Sequence, residues 1–142
     1  MSNFSKFMKA NKIQKQNVMH PVTKSLTDEN GEPLLWEIRS LTTKENEAIR
    51  ESCTIDVPVK GKPNMYRPKV DMNKYQTKVM CAAIVFPDLN NVELQNSYGV
   101  MSAEELLKEM VDDPAEYTDL MVFVQNLNGF KTLQEEVDEA KN

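Results

Sequence analysis

The side chains that metal and nucleophile chemistry need are scarce in this sequence. It has one histidine, His20, and two cysteines, Cys53 and Cys81, with no CxxC spacing. That set cannot supply four ligands to a structural zinc ion. A Ser–His or Cys–His pair would have to use His20, which sits on a predicted strand just before Pro21 with no evident partner. Each cysteine follows a helical pattern, which predicts buried free thiols in a reducing compartment; a disulfide between them is the alternative. The four glycines (Gly31, Gly61, Gly99, Gly129) are isolated turn or cap positions, so no Gly-rich phosphate loop exists. No apolar run reaches 18 residues, so no membrane-spanning helix is predicted. The N-terminal lysines precede no apolar stretch, so no secretory leader is predicted either. No cofactor, metal, nucleic-acid or membrane partner is expected from this composition.

Acid is what the sequence has in quantity. The 142 residues carry a formal charge of -5, and the charge is graded along the chain. Residues 1–27 hold five lysines and no acid, residues 28–87 balance, and residues 88–142 hold thirteen acids against three lysines. The adjacent acids Glu104-Glu105, Asp112-Asp113, Glu135-Glu136 and Asp138-Glu139 fall mostly in first helical turns or at caps, where they complement the helix dipole. Solvated cap residues are therefore the reading, rather than a catalytic pair. The length suits one domain, 1–142, in two parts: a hairpin-containing part, 1–70, and a helical part, 71–142.

Along the chain, Phe4, Phe7 and Met8 fall at helical spacing, so residues 2–12 read as a short helix. Val18–Leu26 and Pro33–Ser40 read as strands joined by a turn at Asn30-Gly31. In the second strand Leu34, Trp36 and Ile38 form the apolar face, which needs a further strand or a helix against it. Thr42 and Glu45 have capping-box spacing, with Ala48, Ile49, Ser52 and Cys53 as the inner face of the helix that follows. Residues 54–70 carry three prolines and Gly61, which predicts an edge hairpin or irregular loop, here taken as mobile.

Asp71 caps a helix whose apolar face runs Met72, Tyr75, Val79, Ala82, Ala83 and Phe86, ended by Pro87. Asn90 caps a short helix stapled by Leu89 and Leu94 and stopped by Gly99. Ser102 and Glu105 form a second capping box, with a Met101–Leu106 staple. Leu106, Leu107, Met110 and Val111 face inward. Asp113-Pro114 opens a helix through Leu127 that Asn128-Gly129 closes, and Thr132 caps a last helix, Leu133–Lys141. Strands first and helices after give an α+β class: a small N-terminal antiparallel sheet packed on a mainly helical C-terminal bundle.

What remains is binding. Nine methionines is a high count for this length, and thioethers adapt to varied apolar partners. An acidic surface with Met and Leu contacts suits a basic amphipathic helix.

Several stretches together carry a resemblance. They are Leu35-Trp36-Glu37-Ile38-Arg39, Glu45-Asn46-Glu47-Ala48-Ile49-Arg50, Pro87-Asp88-Leu89-Asn90, Glu93-Leu94-Gln95-Asn96-Ser97-Tyr98-Gly99-Val100, Ala103-Glu104-Glu105-Leu106-Leu107 and Asn128-Gly129-Phe130. The chain resembles, from about residue 4 onward, the XkdN-like tail assembly chaperones of prophages in Gram-positive bacteria. The resemblance implies a non-enzymatic protein of the bacterial host cytoplasm. Its implied partners are the tape measure protein and the tail-tube protein, bound transiently during tail assembly. In many phages a frameshift lengthens some copies of such chaperones, and a chain ending at Asn142 corresponds to the short form. Tyr98, Met101, Met110 and Met121 are the candidate partner-binding residues, chosen by type and position. Two other readings compete: a tube or baseplate component retained in the virion, and an acidic DNA mimic.

Overall fold

The computed structural model describes residues 3–129. Its described part is α+β, with two small antiparallel sheets and five α-helices. Strands β1 (Val18–Pro21) and β2 (Leu35–Ile38) pair antiparallel, with His20 opposite Trp36. The turn between them is built by Asp28, whose Oδ1 accepts the Asn30 and Glu32 amides at 2.8 and 3.0 Å, with Gly31 at φ 81°. Gly31 alone carries the left-handed conformation there, a shape that costs it no Cβ clash. Both strands are shorter than the apolar pattern suggests. Val22 to Ser25 leave the ladder so that Val22 and Thr23 bury against the helices, and pairing resumes where Leu26 O accepts the Leu34 amide at 2.8 Å.

The third strand of this sheet is β5 (Ile84–Phe86), on the other side of β2. Those residues were expected to finish the preceding helix. Instead α2 (Met72–Ala83) stops at Ala83, and the chain extends at once. Two β-branched residues, Ile84 and Val85, prefer the extended state, and Pro87 biases the residue before it the same way. The open edge of β2 supplies ladder bonds that another helical turn could not match. Phe86, assigned to the inner face of a longer helix, is consequently exposed; Met72, in the first turn of α2, is exposed as well, while Thr77, Val79, Met80 and Ala83 are buried.

Helix α1 (Thr43–Ser52) begins with the expected capping box: Thr42 Oγ1 accepts the Glu45 amide, and Glu45 Oε1 accepts the Thr42 amide. Its inner face differs from expectation, since Ala48 and Ser52 are exposed and only Ile49 and the following Cys53 turn inward. Arg39, at the end of β2, donates to both Glu45 oxygens, at 2.9 and 2.5 Å. This bond, and next the Thr42 amide, pull the Glu45 carboxyl down to about 2 from an ordinary 4.5. A carboxyl depressed by folding stabilises above its unfolded value, and that contribution disappears as pH falls from about 4.5 to about 2. The pair is about a third exposed, so solvent screening leaves it worth about 1 kcal/mol. Glu45→Gln is therefore expected to lower stability by about 1 kcal/mol at pH 7 and to flatten the acid limb of a urea-denaturation series across that window.

Residues 54–70, read as an edge hairpin or an irregular loop and taken as mobile, form the hairpin in regular register: β3 (Thr54–Pro58) and β4 (Tyr66–Val70) pair over five rungs. Prolines did not prevent it. Pro68 faces Asp56 and Pro58 faces Tyr66, rungs whose nitrogens point away from the partner strand, so no ladder donor is lost. The Val59 amide bonding Met65 O fits that alternation.

Three further helices complete the described fold: α3 (Val92–Ser97), α4 (Ala103–Met110) and α5 (Pro114–Leu127). The α3 cap is Asn91, one residue later than expected, because Asp88 Oδ1 takes the Asn90 amide and leaves Asn91 Oδ1 to accept from Leu94. Ser102 caps α4, but Glu105 reaches back to the Met101 amide instead of closing a box, and Met101 makes no staple because it is exposed. Asp113 caps α5 through the Ala115 and Glu116 amides. The helix expected over 133–141 lies outside the described residues.

The core joins sheet and helices. Trp36 and Ile38 pack with Val79, Met80 and Ala83 of α2, Leu106, Leu107 and Met110 of α4, and Leu120 and Val124 of α5. The predicted short N-terminal helix is absent. Two single 3-10 turns, Ser5–Phe7 and Lys9–Asn11, stand in its place, with Phe4, Phe7 and Met8 exposed. Three apolar residues in so short a segment cannot offset the cost of helix nucleation without a surface to pack on. Cys53 and Cys81 are both free, as read from the sequence, although Cys81 is only half-buried.

Candidate partner-binding surfaces

Helix α5 and the segment from β1 onward line an open cleft of about 690 Å³. Thr23 is buried and donates to Glu116 Oε1 at 2.7 Å, and the Lys24 amide donates to Glu116 Oε2 at 2.8 Å. One carboxylate on the first turn of α5 thus clamps a strand end more than ninety residues earlier in the chain. Beside this clamp His20 stacks flat on Phe123, ring centroids 3.8 Å apart and planes within 9°. Burial lowers the His20 pKa, so the ring is neutral at pH 7.

The cleft brings His20 near Asp113, Glu116 and Asp119, a grouping that could suggest proton chemistry. The bonding argues otherwise. Glu116 uses both oxygens on the clamp, Asp113 is occupied as the α5 cap, and the His20 ring is packed against Phe123. Among the described residues no group of three or more His, Cys, Asp or Glu is placed to hold a metal ion. The Cys81 thiol is pushed up to about 12, chiefly by burial and then by Glu104, and so stays protonated at neutral pH. What the cleft can do is receive: apolar walls from Leu120, Val122 and Phe123, with the free carboxylate of Asp119 at the rim.

The four candidate binding residues do not form one patch. Met101 is 92% exposed, at the turn between α3 and α4. Tyr98, the C-cap of α3, lies three residues earlier and is half-buried against the core, with Gly99 at φ 69° swinging the chain between them. Met121 is half-buried on α5 and lines a small hollow with Tyr75, Gln76, Val79, Met80 and Val124, which includes neither Tyr98 nor Met101. Met110 is 6% exposed and belongs to the core, in line with its inward position on the apolar stripe of α4. Spacing on a helix tells which methionines share a face; it does not tell which face another element covers.

Sequence reasoning passed over the outward face of the three-stranded sheet. Met19, Leu35 and Phe86 are exposed there, on the opposite side from Trp36 and Ile38. The signal was present in the alternation of β2, where Leu35 is apolar in an outward register.

Comparison with known proteins bears on these surfaces. The family described as phage XkdN-like tail assembly chaperone protein matches residues 4–141. The chain belongs to that family. Its members are tail assembly chaperones, non-enzymatic in general, and membership implies binding to phage tail proteins. The chain is 22% identical over 141 residues to the phage-like element PBSX protein XkdN of Bacillus subtilis (strain 168), covering 99% of this chain and 94% of that protein. It is 22% identical over 138 residues to the uncharacterized protein YqbN of the same organism, covering 97% and 91%. The crystal structure of YqbN has the same fold, with a TM-score of 0.77 at 19% identity, over 92% of this chain and 99% of that one. No helix among the described residues is long and apolar enough to cross a membrane.

Proposed function

We propose that this chain is a tail assembly chaperone that transiently holds the tape measure protein and the tail-tube protein in the bacterial cytoplasm while a phage tail is built. It acts as a single domain and makes or breaks no covalent bond. The observation that carries this reading is the family match over residues 4–141. The surface chemistry supports it. A partner that must be released is suited by shallow apolar contacts inside a charged rim, which are salt-sensitive and small in area. The β1–α5 cleft and the Tyr98–Met101 turn have that character, and Met121 adds an adaptable side chain between α2 and α5. Met110 supports the helices beneath that surface.

The acids do not favour a DNA mimic. Such a mimic needs free carboxylates at phosphate-like spacing, whereas in the acidic half Asp88, Glu105, Asp113 and Glu116 are bound to backbone amides.

The test is co-expression with the tape measure and tail-tube proteins of the phage or prophage that encodes the chain. The chaperone is expected to co-purify with at least one of them and to raise its soluble fraction. It should also be absent, or far below stoichiometric, in mass spectra of purified tails. Stoichiometric presence in finished tails overturns the reading in favour of a structural component. Failure to co-purify with either protein overturns the choice of partners.

A further inference from the structure

Among the described residues two parts are basic: the N-terminal segment with its five lysines, and the β3–β4 hairpin, which stands out because it projects from the acidic body. The hairpin carries Lys60, Lys62, Arg67 and Lys69 against the single acid Asp56, net +3, whereas residues 88–129 carry nine acids and one lysine. Most of the hairpin is exposed, and it packs mainly on itself, joined to the body where the Asp71 amide bonds Cys53 O at 2.8 Å. Such a projection exposes backbone and apolar side chains with no visible return to the core.

The register sorts its side chains. Ile55 lies opposite Lys69 and Val57 opposite Arg67, so these four share one face. The next rung, Val59 with Met65, continues the same face. Ile55 and Met65 are about half exposed. At the hairpin base this face runs into an open hollow of about 360 Å³ that also involves Val70 and the exposed Met72. An apolar strip flanked by cations is the complement of an acidic amphipathic segment.

The edges point the same way. Both outer edges carry a proline, Pro58 on β3 and Pro68 at the centre of β4, where an incoming strand would need an amide donor. Strand addition is thereby discouraged, and the face is left as the usable surface. Nucleic acid fits this face less well. Phosphate recognition favours arginine and stacking aromatics, and here the cations are interleaved with Ile, Val and Met beside a strongly acidic body.

We propose that the face formed by Ile55, Val57, Met65, Arg67 and Lys69 docks an acidic amphipathic segment of a partner tail protein. This rests on the tail-chaperone reading above and adds the location and the sign of charge. The chain is bipolar: the hairpin takes acidic stretches, and the acidic helical half takes basic ones.

The test uses the full chain and peptides tiling the tape measure and tail-tube proteins of the same phage, with affinity read by fluorescence anisotropy. Acidic amphipathic peptides are expected to bind, and to bind more weakly as salt rises. Reversing four charges (K60E, K62E, R67E, K69E) is expected to weaken them tenfold or more while leaving the circular dichroism spectrum intact. Ile55→Ser with Val57→Ser, which leaves the charges, is expected to weaken them similarly. Equal binding of acidic peptides by parent and charge-reversed protein overturns the hairpin proposal, while co-purification with the intact tail proteins still stands for the function. Loss only of self-association, or only of DNA binding, in the reversed protein also overturns it, because the occupant is then a second copy or a nucleic acid.

Discussion

Met110→Asp is expected to unfold the protein, and Met101→Asp is expected to leave it folded. The two methionines lie nine residues apart and were grouped by type, yet their surroundings are opposite. Met110 packs among the side chains of α2, α4 and α5 with 6% exposure; Met101 is 92% exposed. A carboxylate at 110 has no partner cation in the core, so it must either ionise unpaired or remain protonated at a cost. Together with the lost thioether packing, the penalty exceeds about 4 kcal/mol. That is a large share of the roughly 5–15 kcal/mol that holds an ordinary domain together. At 101 the same change is expected to stay within about 0.5 kcal/mol. Urea denaturation followed by circular dichroism separates the two. If Met110→Asp unfolds at the parent midpoint, the α4 stripe is not where the structure puts it. If Met101→Asp then binds tail partners as well as the parent does, the α3–α4 turn is not part of the binding surface.

Trp36→Ala is the second large effect. Trp36 is 2% exposed in the middle of a strand only four residues long, with β1 on one side and β5 on the other. Its ring is the largest fully buried side chain in the described core, and it bridges the small sheet to the helices. Removing it costs about 3–5 kcal/mol through lost burial and the cavity left behind. A sheet of short strands has little else to hold it, so the N-terminal part is expected to loosen before the helices do. Amide hydrogen exchange reads this: protection at Val18–Pro21 and Ile84–Phe86 is expected to fall further than at α4. Uniform loss across both parts would mean that sheet and helices unfold as one unit. Trp36→Phe, which keeps a ring in the site, is expected to recover most of the stability.

Much of this was legible in the residues, and the gaps have physical causes. Capping chemistry is local, so Thr42 with Glu45, Asp71, and Asp113 before Pro114 all mark helix starts where the structure has them. The buried pair Trp36 and Ile38 was readable from period-two alternation. The third strand was not, because its partner lies about fifty residues away and nothing local distinguishes Ile84–Phe86 from one more helical turn. The hairpin at 54–70 was obscured by prolines whose harmlessness depends on register, a property of pairing and not of composition. The binding residues were the least legible. Met110 and Met121 both sit on apolar helix stripes, and only the packing of α4 and α5 separates a core filler from a half-exposed contact.

The Glu116 clamp has a consequence for synthesis. Thr23 and Lys24 leave the ribosome long before the carboxylate that fastens them, which lies 93 and 92 residues downstream. At roughly 5–20 residues per second, that interval lasts about 5–20 s. For much of that time the nascent chain carries Trp36 and Ile38 without the full set of helices that will cover them, so a tail assembly chaperone spends its first seconds as a client in need of shelter.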